Sequence, residues 1–167
     1  TSISLTIHDA SGQEVAKLTP SKNSGVNRAV WNLRHPSLPA QTYRYMDAER
    51  SRPLPGRLAL PGVYTARLVV DGAVSERKFT VIEDRRLRVT PAARTAWNRA
   101  LETVASSYLE ATALIEQTKS ASSQVLQETA IQAQARLATL YGNVSASTGP
   151  PTADQAKQIA ALSKFVA

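Results

Sequence analysis

The spacing of apolar residues changes once along this chain, near residue 84, and this change constrains the fold more than any other feature. Before it, apolar and polar residues alternate, as in strands that bury one face. After it, apolar residues recur every three or four positions, as on one face of a helix. The sequence therefore predicts an α+β protein with strands in residues 1–84, a basic linker at 85–90 and helices in 91–167.

Two segments near the start carry the alternating pattern. Residues 2–8 alternate strictly, and after a turn the chain returns through residues 15–18, which predicts a hairpin. Residues 27–34 alternate again and place Trp31 on the apolar side. We therefore expect a third strand here, with Trp31 in the core.

A second hairpin is the clearest local signal. Residues 63–70 alternate before Asp71-Gly72, and residues 73–82 follow it as the second expected strand. This dipeptide accepts positive φ at both central positions, as a two-residue type I′ turn requires. Together the segments predict an immunoglobulin/fibronectin-III-like antiparallel β-sandwich in residues 1–84.

The helical region contains three amphipathic segments, at about 91–119, 122–141 and 152–166. Thr90 and Thr152 have the chemistry of helix N-caps, and Gly142 is expected to end the second helix. We expect an antiparallel bundle of two to three helices, either covering an edge strand of the sandwich or forming a separate arm. The expected buried residues are Trp97, Leu101, Val104, Tyr108, Ala111, Ile115, then Leu126, Ala130, Ala133, Leu137, Leu140, then Ile159, Leu162 and Phe165 or Val166.

A proline-rich stretch at residues 35–61 separates the third expected strand from the second hairpin. Proline lacks a backbone donor, so we assign this stretch to a long loop of the sandwich. Aromatic rings beside guanidinium groups can stack on sugars and bind anions. The candidate ligand-binding residues are Tyr43, Arg44, Tyr45, Arg50 and Arg52. The alternative is that the tyrosines seal the loop against the sandwich or a neighbouring domain, while the arginines are solvated.

The residue inventory does not provide a catalytic, metal or cofactor site. Cysteine is absent, and His8 and His35 are the only histidines, so no thiolate or histidine cluster can form. Asp47 and Glu49 are close in sequence, but neighbouring arginines would keep both ionised. We therefore predict no catalytic residues, no metal and no cofactor.

The composition also limits the partners. The 20 Lys and Arg exceed the 13 Asp and Glu, giving a formal charge of +7. These bases are scattered among acids, so we interpret the charge as favouring solubility rather than nucleic-acid binding. No apolar run is long enough to span a membrane. The chain starts at Thr1 inside an expected strand, which favours a processed protein or a piece of a longer one.

Three motifs resemble a bacterial family. They are Gly25-Val26-Asn27-Arg28-Ala29-Val30-Trp31-Asn32-Leu33-Arg34, Pro61-Gly62-Val63-Tyr64-Thr65-Ala66-Arg67-Leu68 and Asp71-Gly72. Together with Ile7-His8-Asp9, Gly12 and Val15, they are similar to the C-terminal region of large exported proteins with BNR or sortilin-like β-propeller repeats, often labelled glycosyl hydrolases. The pattern is shared with the immunoglobulin-like domain of flagellar hook-capping proteins. Asn32 stands where aspartate is usual, and Glu83-Asp84-Arg85-Arg86 lacks the family's proline.

The resemblance implies a non-catalytic accessory module. In such proteins the propeller holds any active site, and this region docks on it or stabilises it. The implied partner is an upstream propeller of the same chain or of another protein, and the implied location is outside the cytoplasm. The alternative is a carbohydrate- or cell-surface-binding module that uses the loop from Tyr43 to Arg57.

Overall fold

The protein is described here as a computed structural model, which covers residues 2–43, 52–120, 123–147 and 149–166. It is an α+β fold with six strands and three helices in the described residues. The strands are β1 (Ile3–His8), β2 (Glu14–Leu18), β3 (Leu38–Ala40), β4 (Pro53–Leu54), β5 (Gly62–Val70) and β6 (Ala73–Val81). The helices are α1 (Pro91–Ser120), α2 (Gln124–Ser145) and α3 (Ala153–Val166).

The chain divides into two compact units, and the division differs from the one expected from the sequence. The first unit contains residues 2–36 and 58–88, and the second contains the described parts of 37–57 and 89–166. The proline-rich stretch was expected to be a loop of the strand region. Most of it instead belongs to the helical unit, because its apolar and carbonyl groups find their partners there.

The first unit is built on an antiparallel sheet with strand order β2-β1-β5-β6. β5 and β6 pair along all nine residues of each strand, and Asp71 and Gly72 join them. Both turn residues have positive φ, 46° and 88°, as the predicted turn requires. The expected hairpins at both ends of this sheet are therefore confirmed.

The core of this unit lies on one face of the sheet. Ile7, Val15, Ala16 and Tyr64 are buried, and half-buried apolar residues pack around them. Trp31 is one of these, with its ring centroid 5.3 Å from that of Tyr64. Its indole Nε1 donates to the carbonyl of Arg34 at 2.9 Å, so the ring is anchored by its own segment.

The strand expected at residues 27–34 does not form. Leu33 has a φ of 58°, which breaks an extended run. Apart from a single bridge between Arg34 and Leu58, this segment is irregular, although it brings Trp31 to the core face as expected. Alternation correctly placed Trp31 toward the core, but Ala29 and Leu33, which fall on the same side of the expected strand, are exposed.

Two of the helices, α1 and α3, begin at the caps that the sequence predicts. Thr90 Oγ1 accepts the backbone N–H of Ala93 at 3.1 Å. Thr152 and Gln155 exchange two bonds, Gln155 N–H to Thr152 Oγ1 at 3.2 Å and Thr152 N–H to Gln155 Oε1 at 2.9 Å. This reciprocal capping box satisfies two backbone donors that a helix start leaves unpaired.

The end of α2 was predicted wrongly. We expected Gly142 to stop the helix, but α2 continues to Ser145. A terminating glycine adopts positive φ, and Gly142 does not. The indole Nε1 of Trp97 donates to the carbonyl of Val144 at 2.8 Å, so a residue of α1 satisfies this last turn.

All three helices contact one another and share a core. The expected stripe of α1, from Trp97 to Ile115, is buried throughout. In α2 the expected residues are buried except Leu126, which is 59% exposed. In α3 the buried residues are Ile159 and Val166, whereas Phe165 is exposed. No helix in the described part of the chain is long and apolar enough to cross a membrane.

Candidate functional site

Of the five predicted ligand-binding residues, the structure describes Tyr43 and Arg52, in the proline-rich segment that belongs to the helical unit. Arg44, Tyr45 and Arg50 are outside the described residues. Tyr43 is 43% exposed, and its hydroxyl donates to Gln41 Oε1 at 3.3 Å. Arg52 is also exposed. Of the predicted set, these two side chains are therefore available to solvent in the described structure.

Two tyrosines of the helices hold this segment by its proline carbonyls. The hydroxyl of Tyr108 donates to Pro39 O at 3.0 Å, and that of Tyr141 donates to Pro55 O at 3.0 Å. Both tyrosines are almost completely buried. Between these attachments, β3 and β4 pair with each other, and Leu38 enters the helical core. We refer to the described residues of this stretch, 37–43 and 52–57, as the docked segment.

Gln134 of α2 makes a further attachment. Its Oε1 accepts the backbone N–H of Thr42 at 2.7 Å, and its Nε2 donates to Thr112 Oγ1 at 2.8 Å. The residue is completely buried. We did not predict this role. The available signal was the position of a glutamine inside the apolar stripe of α2, four residues after Ala130.

Arg57 ends the docked segment and is held by α1. Its Nη1 donates to Asn98 Oδ1 at 3.1 Å, and its Nη2 forms an ion pair with Glu102 at 3.1 Å. The side chain of Arg57 is only 19% exposed. Because both terminal nitrogens of the guanidinium already have protein partners, Arg57 positions the segment and is not a free cation for a ligand.

The environment of Tyr108 is electrostatically unusual. Burial of its phenol, with a smaller contribution from the charge on Tyr43, raises its pKa from 10.0 to about 12. A buried phenolate would lose hydration, so the folded protein keeps the hydroxyl protonated. The proton that Tyr108 donates to Pro39 O is therefore retained at neutral pH.

A polar cleft of about 410 Å³ opens on the first unit, lined partly by His8, Asp9, Arg67, Glu76 and Lys78. His8 Nδ1 lies 3.1 Å from the carbonyl of Gly12 and His8 Nε2 lies 2.9 Å from Thr6 Oγ1. A carbonyl can only accept, so Nδ1 carries a proton. His8 is thereby held in place by its own hairpin.

The acidic groups of this cleft are also engaged. Asp9 Oδ1 accepts bonds from Ser11 Oγ, Ser11 N–H and Gln13 N–H. The Ser11 hydroxyl is the main cause of a lowered pKa for Asp9, which favours a turn-capping carboxylate over a general base. Glu76 pairs with Arg67 at 3.6 Å. The described residues contain no group of three or more side chains placed to hold a metal.

The irregular segment around Trp31 also exposes apolar side chains to solvent. Val26 is fully exposed and Val30 is 76% exposed. Leu33 is 42% exposed, and its carbonyl accepts the N–H of Ala59 at 2.8 Å. Alternation along residues 27–34 puts Val30 on the side opposite Trp31 and Leu33 on the same side as Trp31, yet both are exposed. We refer to Val26, Val30 and Leu33 as the outer apolar residues.

No family model, curated protein or solved structure matches this chain.

Proposed function

We propose that this chain is a non-catalytic interaction module that docks on a partner domain. The main observation behind this proposal is the exposure of the outer apolar residues, above all Val26 and Val30. These exposed valines leave apolar surface in contact with water. Burying this surface against a partner is favourable in free energy. The engaged state of His8 and Asp9 agrees with a role other than catalysis.

The partner we propose is a β-propeller of a larger exported bacterial protein, in the same chain or another. The motif resemblance around Trp31 and Asp71-Gly72 supports this identity and the location outside the cytoplasm. In this proposal the first unit is an immunoglobulin-like module in which the irregular segment around Trp31 takes the place of a second sheet. The second unit is an antiparallel bundle carrying the docked segment.

A site-specific photo-crosslinker tests the docking proposal. With the reactive residue at position 30, we expect adducts in the native host to contain peptides of a β-propeller domain, identified by mass spectrometry. The matched control carries the same group at Asn23, an exposed polar position of the same segment. Adducts that are absent at position 30, equally abundant at 23, or formed with another class of domain would contradict the proposal.

The second candidate function is glycan binding through the docked segment. It is favoured by Tyr43, a partly exposed aromatic ring on a segment whose ends are fixed by Tyr108, Tyr141 and Arg57. A fixed aromatic platform reduces the entropy cost of stacking a sugar ring.

Glycan-array binding distinguishes this second function. Tyr43→Ala is expected to abolish glycan retention while the melting temperature stays unchanged, and Arg52→Ala to weaken it. A matched substitution at exposed Thr80 in the first unit should leave retention intact. If the chain binds no glycan, or if Tyr43→Ala lowers the melting temperature without affecting retention, glycan binding is rejected.

A further inference from the structure

β6 is a long and regular edge strand. Its nine residues all pair with β5 in an unbroken register, and no other described strand pairs with its outer side. All its side chains are exposed except those of Phe79 and Val81. The opposite edge, β2, is shorter and has a register irregularity, which is a common protection against pairing with another chain. β6 has no such irregularity.

The hairpin register identifies which backbone groups of β6 face outward. Val70 and Ala73 flank the two-residue turn, so they form the first hydrogen-bonded pair. Hydrogen-bonded and non-hydrogen-bonded pairs then alternate along the ladder. The outward N–H and C=O groups therefore belong to every second residue, namely Val74, Glu76, Lys78 and Thr80.

An antiparallel copy of β6 can pair with these groups in few registers. If the twofold axis passes through Glu76, two glutamates lie opposite each other, and if it passes through Lys78, two lysines do. If it passes through Arg77, the Glu76 of each copy lies opposite Lys78 of the other copy, which gives two pairs of opposite charge. Opposite charges directly across a strand pair are favourable, and like charges are not.

We propose that β6 binds β6 of a second copy of this chain, antiparallel and centred on Arg77. The two sheets then continue as one across the new edge. The two Arg77 side chains face each other at a non-hydrogen-bonded pair, which limits the affinity. A contact through one strand pair buries less surface than a stable dimer needs, so the dimer is weak and concentration-dependent.

Charge reversal tests the register. Glu76→Lys alone gives four lysines at the centre, and Lys78→Glu alone gives four glutamates, so each variant should stay monomeric in sedimentation equilibrium where the original chain dimerises. An equimolar mixture of the two variants should dimerise again, because each lysine then faces a glutamate. Glu76→Lys also removes the ion pair with Arg67, but both side chains are about half exposed, so folding should be preserved.

A proline variant tests the backbone pairing separately. Thr80→Pro removes one outward N–H while keeping every charge, and proline is tolerated on the outer side of an edge strand. We expect weaker dimerisation with an unchanged circular dichroism spectrum. The proposal is overturned if the original chain is monomeric at all concentrations, if the mixed variants do not associate, or if Thr80→Pro dimerises as well as the original. In the first case, the charges of β6 serve only to keep the edge solvated.

Discussion

Gln134 is a buried polar residue whose every described bond serves to attach the docked segment or align α1. Gln134→Leu should destabilise the protein by about 1–3 kcal/mol, because the N–H of half-buried Thr42 and the hydroxyl of Thr112 both lose their hydrogen-bond partner. Chemical denaturation measures this loss. Gln132→Leu, the same change at an exposed position of α2, is the matched control and should change stability little. Equal effects of the two variants would show that the bond to Thr42 contributes nothing.

Tyr108 should make stability depend on alkaline pH. Its pKa is about 12 in the folded chain and about 10 when unfolded, so the unfolded state loses this proton first as pH rises. The free energy of unfolding is therefore unaffected by this group below pH 10 and falls between pH 10 and 12. Denaturant titrations over this range should show a smaller fall in Tyr108→Phe. Parallel curves for the two proteins would contradict the assignment.

At the scale of the element, the hairpin of β5 and β6 depends on its turn. Gly72 has a φ of 88°, a backbone angle that residues with a β-carbon adopt only with strain. Gly72→Ala should lower stability by about 1 kcal/mol or more, measured by thermal unfolding of the first unit. Asp71→Asn is the matched control, since asparagine tolerates positive φ and should preserve the turn. A neutral Gly72→Ala would mean that the turn relaxes to another type.

The elements predicted correctly are those whose signals are local. Thr152 and Gln155 bond each other within one turn, and Asp71-Gly72 determines its own turn, so the sequence suffices for both. The end of α2 depends on Trp97, 47 residues away from Val144, and a pattern within one helix cannot reveal that bond. The irregular segment before Arg34 was predicted wrongly as a strand: of its expected inward side only Trp31 turns to the core, and Leu33, with a φ of 58°, is exposed.

The candidate site was predicted only in part for the same reason. Tyr43 and Arg52 were recognised from their chemistry, and their exposure agrees with that choice. Arg57 was expected to end the binding loop, but its guanidinium donates to Asn98 and forms an ion pair with Glu102. The alternative was that tyrosines of the loop itself seal it against the sandwich or a neighbouring domain, but Tyr43 is 43% exposed. The hydroxyls that attach the segment come from the helices: Tyr108 was expected only as a core residue, and Tyr141 was not among the predicted core residues.

At the scale of the whole molecule, the chain leaves the first unit and returns to it at one place. The bridge between Arg34 and Leu58 holds together the two ends of the excursion that contains the docked segment. A short flexible linker in place of residues 37–57 should therefore leave the sheet of the first unit folded. The helical unit would lose the buried side chain of Leu38 and the acceptors of Tyr108 and Tyr141.

We expect this replacement to destabilise the helices by on the order of 3 kcal/mol, because one buried leucine and several hydrogen bonds are lost together. Hydrogen exchange followed by mass spectrometry measures the effect segment by segment. Amides of α1 and α2 should exchange faster, while those of β1 and β5 serve as the internal control and keep their protection. Unchanged protection in α1 and α2 would mean that the helices fold without the docked segment. Faster exchange in β1 and β5 would mean instead that residues 37–57 support the sheet.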